Sequence, residues 1–167
     1  LSIPEEVIIT SMREHQKFLS LRSSASGKVE GFLVIADLQT HDKQKTILSG
    51  NMRVLNSRLR DAMFFYQNDL NLVKVHGMGA WNDKLESVRF HEKLGSQYDR
   101  VERIVKIAIL LARKFDLEED RVRKAATFIK ADLVSCLVAE FPSLQGMMGA
   151  HYAEIEGCEK FISDAIR

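Results

Sequence analysis

AATFIKADLVSCLVAEFPSLQGMMGAHYAEIE, residues 125–156, carries the strongest structural pattern in the sequence. Its apolar residues recur at helical spacing, and Pro142 ends the pattern because the residue before a proline avoids the α region. We predict one helix over 122–140, a short turn with two glycines, and a closing helix. Lys130 and Asp132 lie within this apolar frame, and a lone buried charge is costly, so each must have a partner or a function.

The 167-residue chain has the composition of a globular protein, with 46% hydrophobic and 28% charged residues. A net charge of +1 gives no general attraction for nucleic acid, although local basic patches remain open. Cys136 and Cys158 lack the number and spacing of a disulfide framework or a zinc site. No apolar run reaches the roughly 18 residues that span a bilayer, and we expect neither a membrane nor DNA as a partner. Because the sequence starts at Leu1 without a methionine and stops inside a helical pattern at Arg167, we expect an internal piece of a larger protein.

The N-terminal part mixes helix and strand patterns. Pro4, followed by two glutamates, begins a short amphipathic helix predicted over 4–14. Two strands are predicted over 15–21 and 29–38, the second as a central strand covered on both faces because GFLVIADL is a continuous apolar run. A long helix follows, with Asn51 as its expected capping residue.

Residues 73–83 contain two glycines and a tryptophan that we expect to be exposed, and they are predicted to form a linker. From residue 84 onward the sequence has no strand pattern, and helices are predicted over 84–94 and 99–115. The predicted fold class is α+β, with a small N-terminal strand/helix unit followed by an all-helical domain. The predicted boundaries are 1–72 for the α+β unit, 73–83 for the linker and 84–167 for the helical domain.

His91, Asp132 and His151 are the one spread-out set that resembles metal ligands. A helical domain with a histidine, a His-Asp pair and a distal Asp is typical of HD-type metal-dependent phosphohydrolases, because imidazoles and carboxylates together hold divalent ions. Here the pair reads Ala131-Asp132, so the central imidazole is missing. We therefore predict that this set has no bound metal and no catalytic residue.

The polar residues of this helical region have two interpretations. Lys130 and Asp132 are two residues apart and point to different sides of a helix, so they cannot pair directly. A structural ion-pair network is one interpretation, and a docking or RNA-contact surface is the other. Asp132 is expected to bond to neighbouring helices. The predicted polar core comprises His91, Lys130, Asp132, Glu140, Gln145 and His151.

Arg53, Arg58 and Arg60 lie off the apolar face of the long predicted helix. Guanidinium groups bind phosphates, so three of them within eight residues are candidates for RNA contact. An ordinary solvated helix surface is the alternative, and the sequence leaves both open.

Four segments together carry a family resemblance. PEEVIITSMREHQKF, GNMRVLNSRLRDAMFFYQNDL, FHEKLGSQYDRVERI and KADLVSCLVAEFPSLQGMMGAHYAEIEG follow one another over nearly the whole chain. In this order they resemble the β subunit of bacterial heterotetrameric glycyl-tRNA synthetase. The last segment is the most specific of the four.

The resemblance implies an α2β2 enzyme in the cytoplasm. Its α subunit would hold the site for glycine and ATP with Mg, and its β subunit would mainly bind tRNA(Gly). The β subunit would contain a helical domain related to HD phosphohydrolases that generally lacks their metal ligands. An anticodon-binding domain expected in the full subunit is absent from this sequence.

Two positions depart from the family pattern. Met52 stands where an acidic residue is usual, and Asn56 stands where a basic residue is common, which weakens the proposed phosphate contact. The sequence thus predicts a non-catalytic part of glycine–tRNA ligase that binds tRNA and the α subunit and needs no cofactor of its own. An HD-type phosphohydrolase and a pure scaffold module are the alternatives.

Overall fold

A computed structural model describes residues 3–38, 41–42 and 44–167. The chain divides into two compact units, Leu1–Tyr66 and Gln67–Arg167. Two two-stranded antiparallel sheets accompany the helices, so the α+β class is confirmed. The described elements are α1 (Glu5–Thr10, continued by a π turn Ser11–His15), β1 (Leu19–Arg22), β2 (Val29–Leu33), α2 (Lys45–His76), α3 (Gly79–Lys84), β3 (Arg89–His91), β4 (Gly95–Ser96), α4 (Gln97–Lys114), α5 (Glu119–Phe128), α6 (Cys136–Glu140), α7 (Met147–Ile155) and α8 (Lys160–Ile166).

In the first unit, a carboxylate ties the helix α1 to the hairpin β1–β2. Glu5 accepts hydrogen bonds from the Val29 N–H at 2.6 Å and from the Arg22 guanidinium at 2.7 Å. These two bonds lower the pKa of Glu5 below its ordinary value. The rings of Phe18 and Phe32 stack with their centroids 4.8 Å apart, which adds an apolar contact beside the sheet.

The second predicted strand is shorter and more exposed than expected. It ends at Leu33, and Leu33 and Ile35 are 48% and 82% exposed, so the prediction of a central strand covered on both faces is wrong for this chain. The apolar run was typical of a doubly covered strand, but β2 pairs with β1 alone among the described strands.

Helix α2 begins earlier than predicted. It starts at Lys45, and Asp42 rather than Asn51 supplies the capping carboxylate, which accepts the Thr46 N–H at 2.8 Å. Gly50 and Asn51 lie within the helix, where the surrounding helix-forming residues outweigh the preference of both for turns.

The predicted linker 73–83 is largely helical. Its first residues complete α2, and Gly79–Lys84 forms α3. Trp81 is buried rather than exposed, and its ring packs edge-to-face on Tyr152 with centroids 5.1 Å apart. The prediction failed because the glycines suggested flexibility, whereas the burial of one large indole holds the segment in place.

The prediction of an all-helical domain over 84–167 is also wrong, because β3 and β4 form a hairpin. Arg89 pairs with Ser96 and His91 with Gly95. Ser96 then caps α4 in a capping box: its hydroxyl accepts the Asp99 N–H at 3.1 Å, and the Asp99 carboxylate accepts the Ser96 N–H at 2.7 Å. The predicted helix over 84–94 gives way to a 3-10 turn and this hairpin.

The helical pattern over 99–115 is confirmed by α4, whereas the helix predicted over 122–140 is interrupted. It divides into α5, a 3-10 turn over Ala131–Val134, and α6. Ser135 is extended, and its hydroxyl accepts the Val138 N–H at 3.1 Å. Short polar side chains that bond to nearby backbone compete with continuous helix, which explains the break. The core between α4 and α5 contains Leu85, Val101, Val105, Ile109 and Ala126.

The HD-like character of the helical region stays a prediction. No helix in the described part of the chain is both long and apolar enough to cross a membrane.

Removing the Ser96 cap should lower the stability of the folded chain measurably. We expect Ser96→Ala to lower the free energy of unfolding by about 1 kcal/mol, because the Asp99 N–H at the start of α4 loses its acceptor. Urea titration followed by circular dichroism measures the change. Ser96→Thr keeps the hydroxyl and should lose much less; equal losses in the two variants would contradict the role of the cap.

Candidate functional site

One side of α2 in the first unit is cationic. Residues 45–60 contain four basic side chains and no acidic one. Arg53 and Arg60 are seven residues apart, about two helical turns, so they share a face. Together with Asn56 they border an open depression of about 460 Å³, and Arg53 and Lys45 border a second one of about 440 Å³. We call Lys45, Arg53 and Arg60 the cationic face of α2.

Neither Arg53 nor Arg60 forms an ion pair with a described carboxylate, and both are exposed. Their guanidinium groups are therefore available to a ligand. Asn56 lies between them and adds a neutral hydrogen-bonding group. The arrangement suits an extended anion such as a sugar-phosphate backbone better than a small enclosed ligand.

Arg58 does not belong to this face. It is five residues from Arg53, a rotation of about 140° around the helix axis, and it is half-buried. The structure thus brings together two of the three arginines singled out from the sequence.

Asp132 is fully buried at the N-terminus of α7. Its Oδ2 accepts the N–H of Gly146 at 2.6 Å and of Gly149 at 3.0 Å. Its Oδ1 has no hydrogen-bond partner among the described residues. Burial raises the pKa of Asp132, against the opposing effect of the two N–H bonds and of Lys130.

Both glycines that bond to Asp132 are required by space or conformation. Gly146 has a φ of +83°, a region that side-chain-bearing residues rarely adopt. A Cβ on Gly149 would lie 2.9 Å from Asp132 Oδ2 and 2.9 Å from the Ile166 side chain. The carboxylate can therefore reach the first turn of α7 only because position 149 lacks a side chain.

The other members of the predicted polar core are dispersed. His91 lies exposed on β3, where its Nδ1 accepts the Lys93 N–H at 3.1 Å, so it is a surface residue rather than part of a core. The hairpin, which replaces the predicted helix, brings it to the surface. Lys130, Glu140, Gln145 and His151 are each half-buried.

Within residues 3–38, 41–42 and 44–167, no three His, Cys, Asp or Glu side chains form a group that could hold a metal ion. Asp132 is buried and already accepts two backbone N–H groups, and His91 is on the surface. The described geometry therefore does not assemble the His91, Asp132 and His151 set that the sequence suggested.

Sequence reasoning missed Asp69, a second buried carboxylate, near the end of α2. Its Oδ1 accepts the Cys136 N–H at 2.8 Å, and its Oδ2 accepts the Leu137 N–H at 2.9 Å and the Tyr152 hydroxyl at 2.9 Å. Burial raises its pKa, although these bonds oppose the shift. An aspartate following the apolar Phe65 and Tyr66 within one helix was the available signal.

Cys136 is not an activated nucleophile. Desolvation of the thiol, followed by the neighbouring Asp69 carboxylate, raises its pKa, although the residue as a whole is exposed. A raised pKa disfavours the thiolate, which is the reactive form. The second unit thus contains buried carboxylates that serve structure, while the cationic face of α2 is the feature suited to binding.

Comparison with known families places the sequence. The model of the family described as glycyl-tRNA synthetase beta subunit matches residues 1–167. The chain belongs to this family. The assignment agrees with the four sequence segments that carried the resemblance.

Similar proteins from several bacteria are named glycine–tRNA ligase beta subunit. The protein from Paracoccus denitrificans is 47% identical over 167 residues, which are 100% of this chain and 24% of that protein. The protein from Dinoroseobacter shibae is 50% identical over 157 residues, 94% of this chain and 22% of that protein. The protein from Lactiplantibacillus plantarum is 38% identical over 170 residues, 100% of this chain and 24% of that protein. The chain thus spans about a quarter of the length of these curated relatives.

Substitutions of Asp132 should separate its bonds from its charge. We expect Asp132→Ala to lower the free energy of unfolding by roughly 3 kcal/mol, because two buried N–H groups lose their acceptor. Asp132→Asn retains one acceptor oxygen and should cost less. Denaturant titrations of both variants and the wild type measure the order.

The pH dependence gives a second test of Asp132. Since its folded-state pKa is raised, its contribution to stability is full below the unfolded pKa, about 4, and is lost as the pH rises through the folded-state pKa. The stability of Asp132→Asn relative to wild type should therefore increase from pH 4 toward neutral pH. A constant difference across this range would contradict the raised pKa.

Replacing Asp69 should lower the free energy of unfolding more than replacing any one of its hydrogen-bond donors. Asp69→Ala leaves two buried donors and one partly buried donor without an acceptor, and we expect a loss of roughly 3–5 kcal/mol in the free energy of unfolding. Tyr152→Phe removes one donor and should cost about 1 kcal/mol. Asp61→Ala, at an exposed position of the same helix, is the control, and its effect should stay within about 0.5 kcal/mol. Equal effects at positions 61 and 69 would refute the assignment.

Proposed function

We propose that this chain is the part of a glycine–tRNA ligase β subunit that contacts the tRNA(Gly) backbone through the cationic face of α2. The face supports this role because it holds guanidinium groups that pair with no described carboxylate on one side of a helix, while the chain as a whole has a net charge of only +1. In this proposal the chain supports ATP-dependent glycylation in the cytoplasm without activating glycine itself.

The α subunit would carry the site for glycine, ATP and Mg, and the β subunit would assemble with it into the α2β2 enzyme. These assignments rest on family membership, since the relatives are named as β subunits of this ligase. The tRNA-binding role rests on Arg53 and Arg60, which border the same depression and are exposed.

Charge reversal at two positions tests the proposal. In the complete α2β2 enzyme, Arg53→Glu with Arg60→Glu should raise the KM for tRNA(Gly) by at least about tenfold, because two phosphate contacts become repulsive. The slope of log KM against log salt concentration should decrease by about 2, because each lost phosphate contact lowers this slope by about 1. Glycine activation without tRNA, measured by ATP–pyrophosphate exchange, should be unchanged, which excludes damage to the site for glycine and ATP as the cause.

A matched variant controls for net charge. Lys124→Glu with Lys160→Glu makes the same charge change on the exposed surfaces of α5 and α8, and it should leave the KM near the wild-type value. Arg58→Glu should have a smaller effect than Arg53→Glu, because Arg58 points away from the face. An unchanged KM and salt slope in the Arg53/Arg60 variant would favour a purely scaffolding role and reject tRNA contact at this face.

A further inference from the structure

Large apolar side chains on the outer side of α4 are exposed to solvent. Ile107, Leu110 and Leu111 are 58%, 64% and 49% exposed, and Phe115, directly after the helix, is 64% exposed. Their spacing of three and four residues aligns them along one side of the helix. We call these four residues the α4 stripe.

The inner side of the same helix already has its partner. Val101, Val105 and Ile109 pack against Leu85 and Ala126 in the core of the second unit. The α4 stripe is therefore a second apolar face rather than the core face left uncovered. A helix that is apolar on two sides is typical of one that is enclosed between neighbours.

The charges around the α4 stripe have one sign. From Arg103 to Phe115 the helix contains four basic residues and no acidic one. Arg113 is paired with Glu119 at 2.8 Å. Arg103, Lys106 and Lys114 form no ion pair with the residues that the structure describes, although Arg103 interacts electrostatically with Asp99. Lys106 and Lys114 therefore border the apolar surface without a counter-charge among the described residues.

We propose that the α4 stripe is covered by an acidic amphipathic helix from the same polypeptide, outside residues 1–167. A helix with apolar residues at spacings of three and four packs its ridges against such a stripe, and flanking Glu or Asp side chains meet the cations. The curated relatives are about four times as long as this chain, so the same polypeptide has ample length to supply the helix. This inference rests on family membership and is independent of the tRNA role.

Other occupants fit the surface less well. A second copy of α4 would bring cations against cations in a symmetric contact, because residues 103–115 contain four basic side chains and no acidic one. An RNA backbone would meet four apolar side chains at the centre of the surface, where phosphate finds no partner. A helix in the same polypeptide also has the advantage of a high effective concentration over one in another subunit.

Site-specific photocrosslinking in the full-length polypeptide, within the α2β2 enzyme, tests the proposal. A benzophenone side chain replaces Leu110, and the crosslinked peptides are identified by mass spectrometry. The expected product joins position 110 to a segment outside residues 1–167 that has apolar residues at helical spacing and several carboxylates. Mixing isotopically light and heavy subunits distinguishes a crosslink within one polypeptide from one between copies.

Two controls complete the experiment. A benzophenone at the exposed position 154 on α7 measures the background. Lys106→Glu with Lys114→Glu should lower the crosslink yield from position 110 by at least about threefold, whereas Lys124→Glu with Lys160→Glu should not. A crosslink to the α subunit, to a second copy or to tRNA, a yield no higher than background, or a yield unaffected by reversal at 106 and 114 would each overturn the proposal.

Discussion

The Asp69 carboxylate determines where one short helix of the second unit, α6, can begin. It accepts the N–H groups of Cys136 and Leu137, the first two residues of α6, while the Ser135 hydroxyl accepts the third. A helix of five residues gains little from its own hydrogen bonds, because isolated helices shorter than about 12 residues are marginal in water. The position of α6 therefore depends on a buried acid supplied from α2.

Asp132 plays the same part at the start of the next helix, α7, where it accepts two main-chain N–H groups. In both cases burial of the carboxylate is unfavourable for its charge, and backbone N–H groups at a helix N-terminus offset part of that cost. Asp132, the buried acid of the segment 125–156, is thus a structural residue whose hydrogen-bond partners are main-chain N–H groups. A polar residue within an apolar pattern indicated that a partner must exist, but not which one.

Local patterns predicted the elements that local forces determine. The amphipathic pattern of α4 and the end of the helical pattern before Pro142 could be predicted from the sequence, because both depend on residues within a few helical turns. The β3–β4 hairpin, the burial of Trp81 and the bonds of Asp69 were not, because each depends on contacts between residues distant in sequence. For the candidate binding face, composition indicated the arginines, and only the helix geometry separated Arg58 from Arg53 and Arg60.

Both buried acids accept main-chain N–H groups, and these bonds do not depend on which side chains occupy the first turns of α6 and α7. A substitution at Met147 therefore leaves the acceptor at the start of α7 in place, whereas one at Cys136 also removes the hydrogen bond between its side chain and Asp69. Position 149 has no such freedom, because even a methyl group would enter the space shared by Asp132 and Ile166. The first turns of α6 and α7 thus combine positions that tolerate substitution with a position, Gly149, at which one added carbon atom would displace its neighbours.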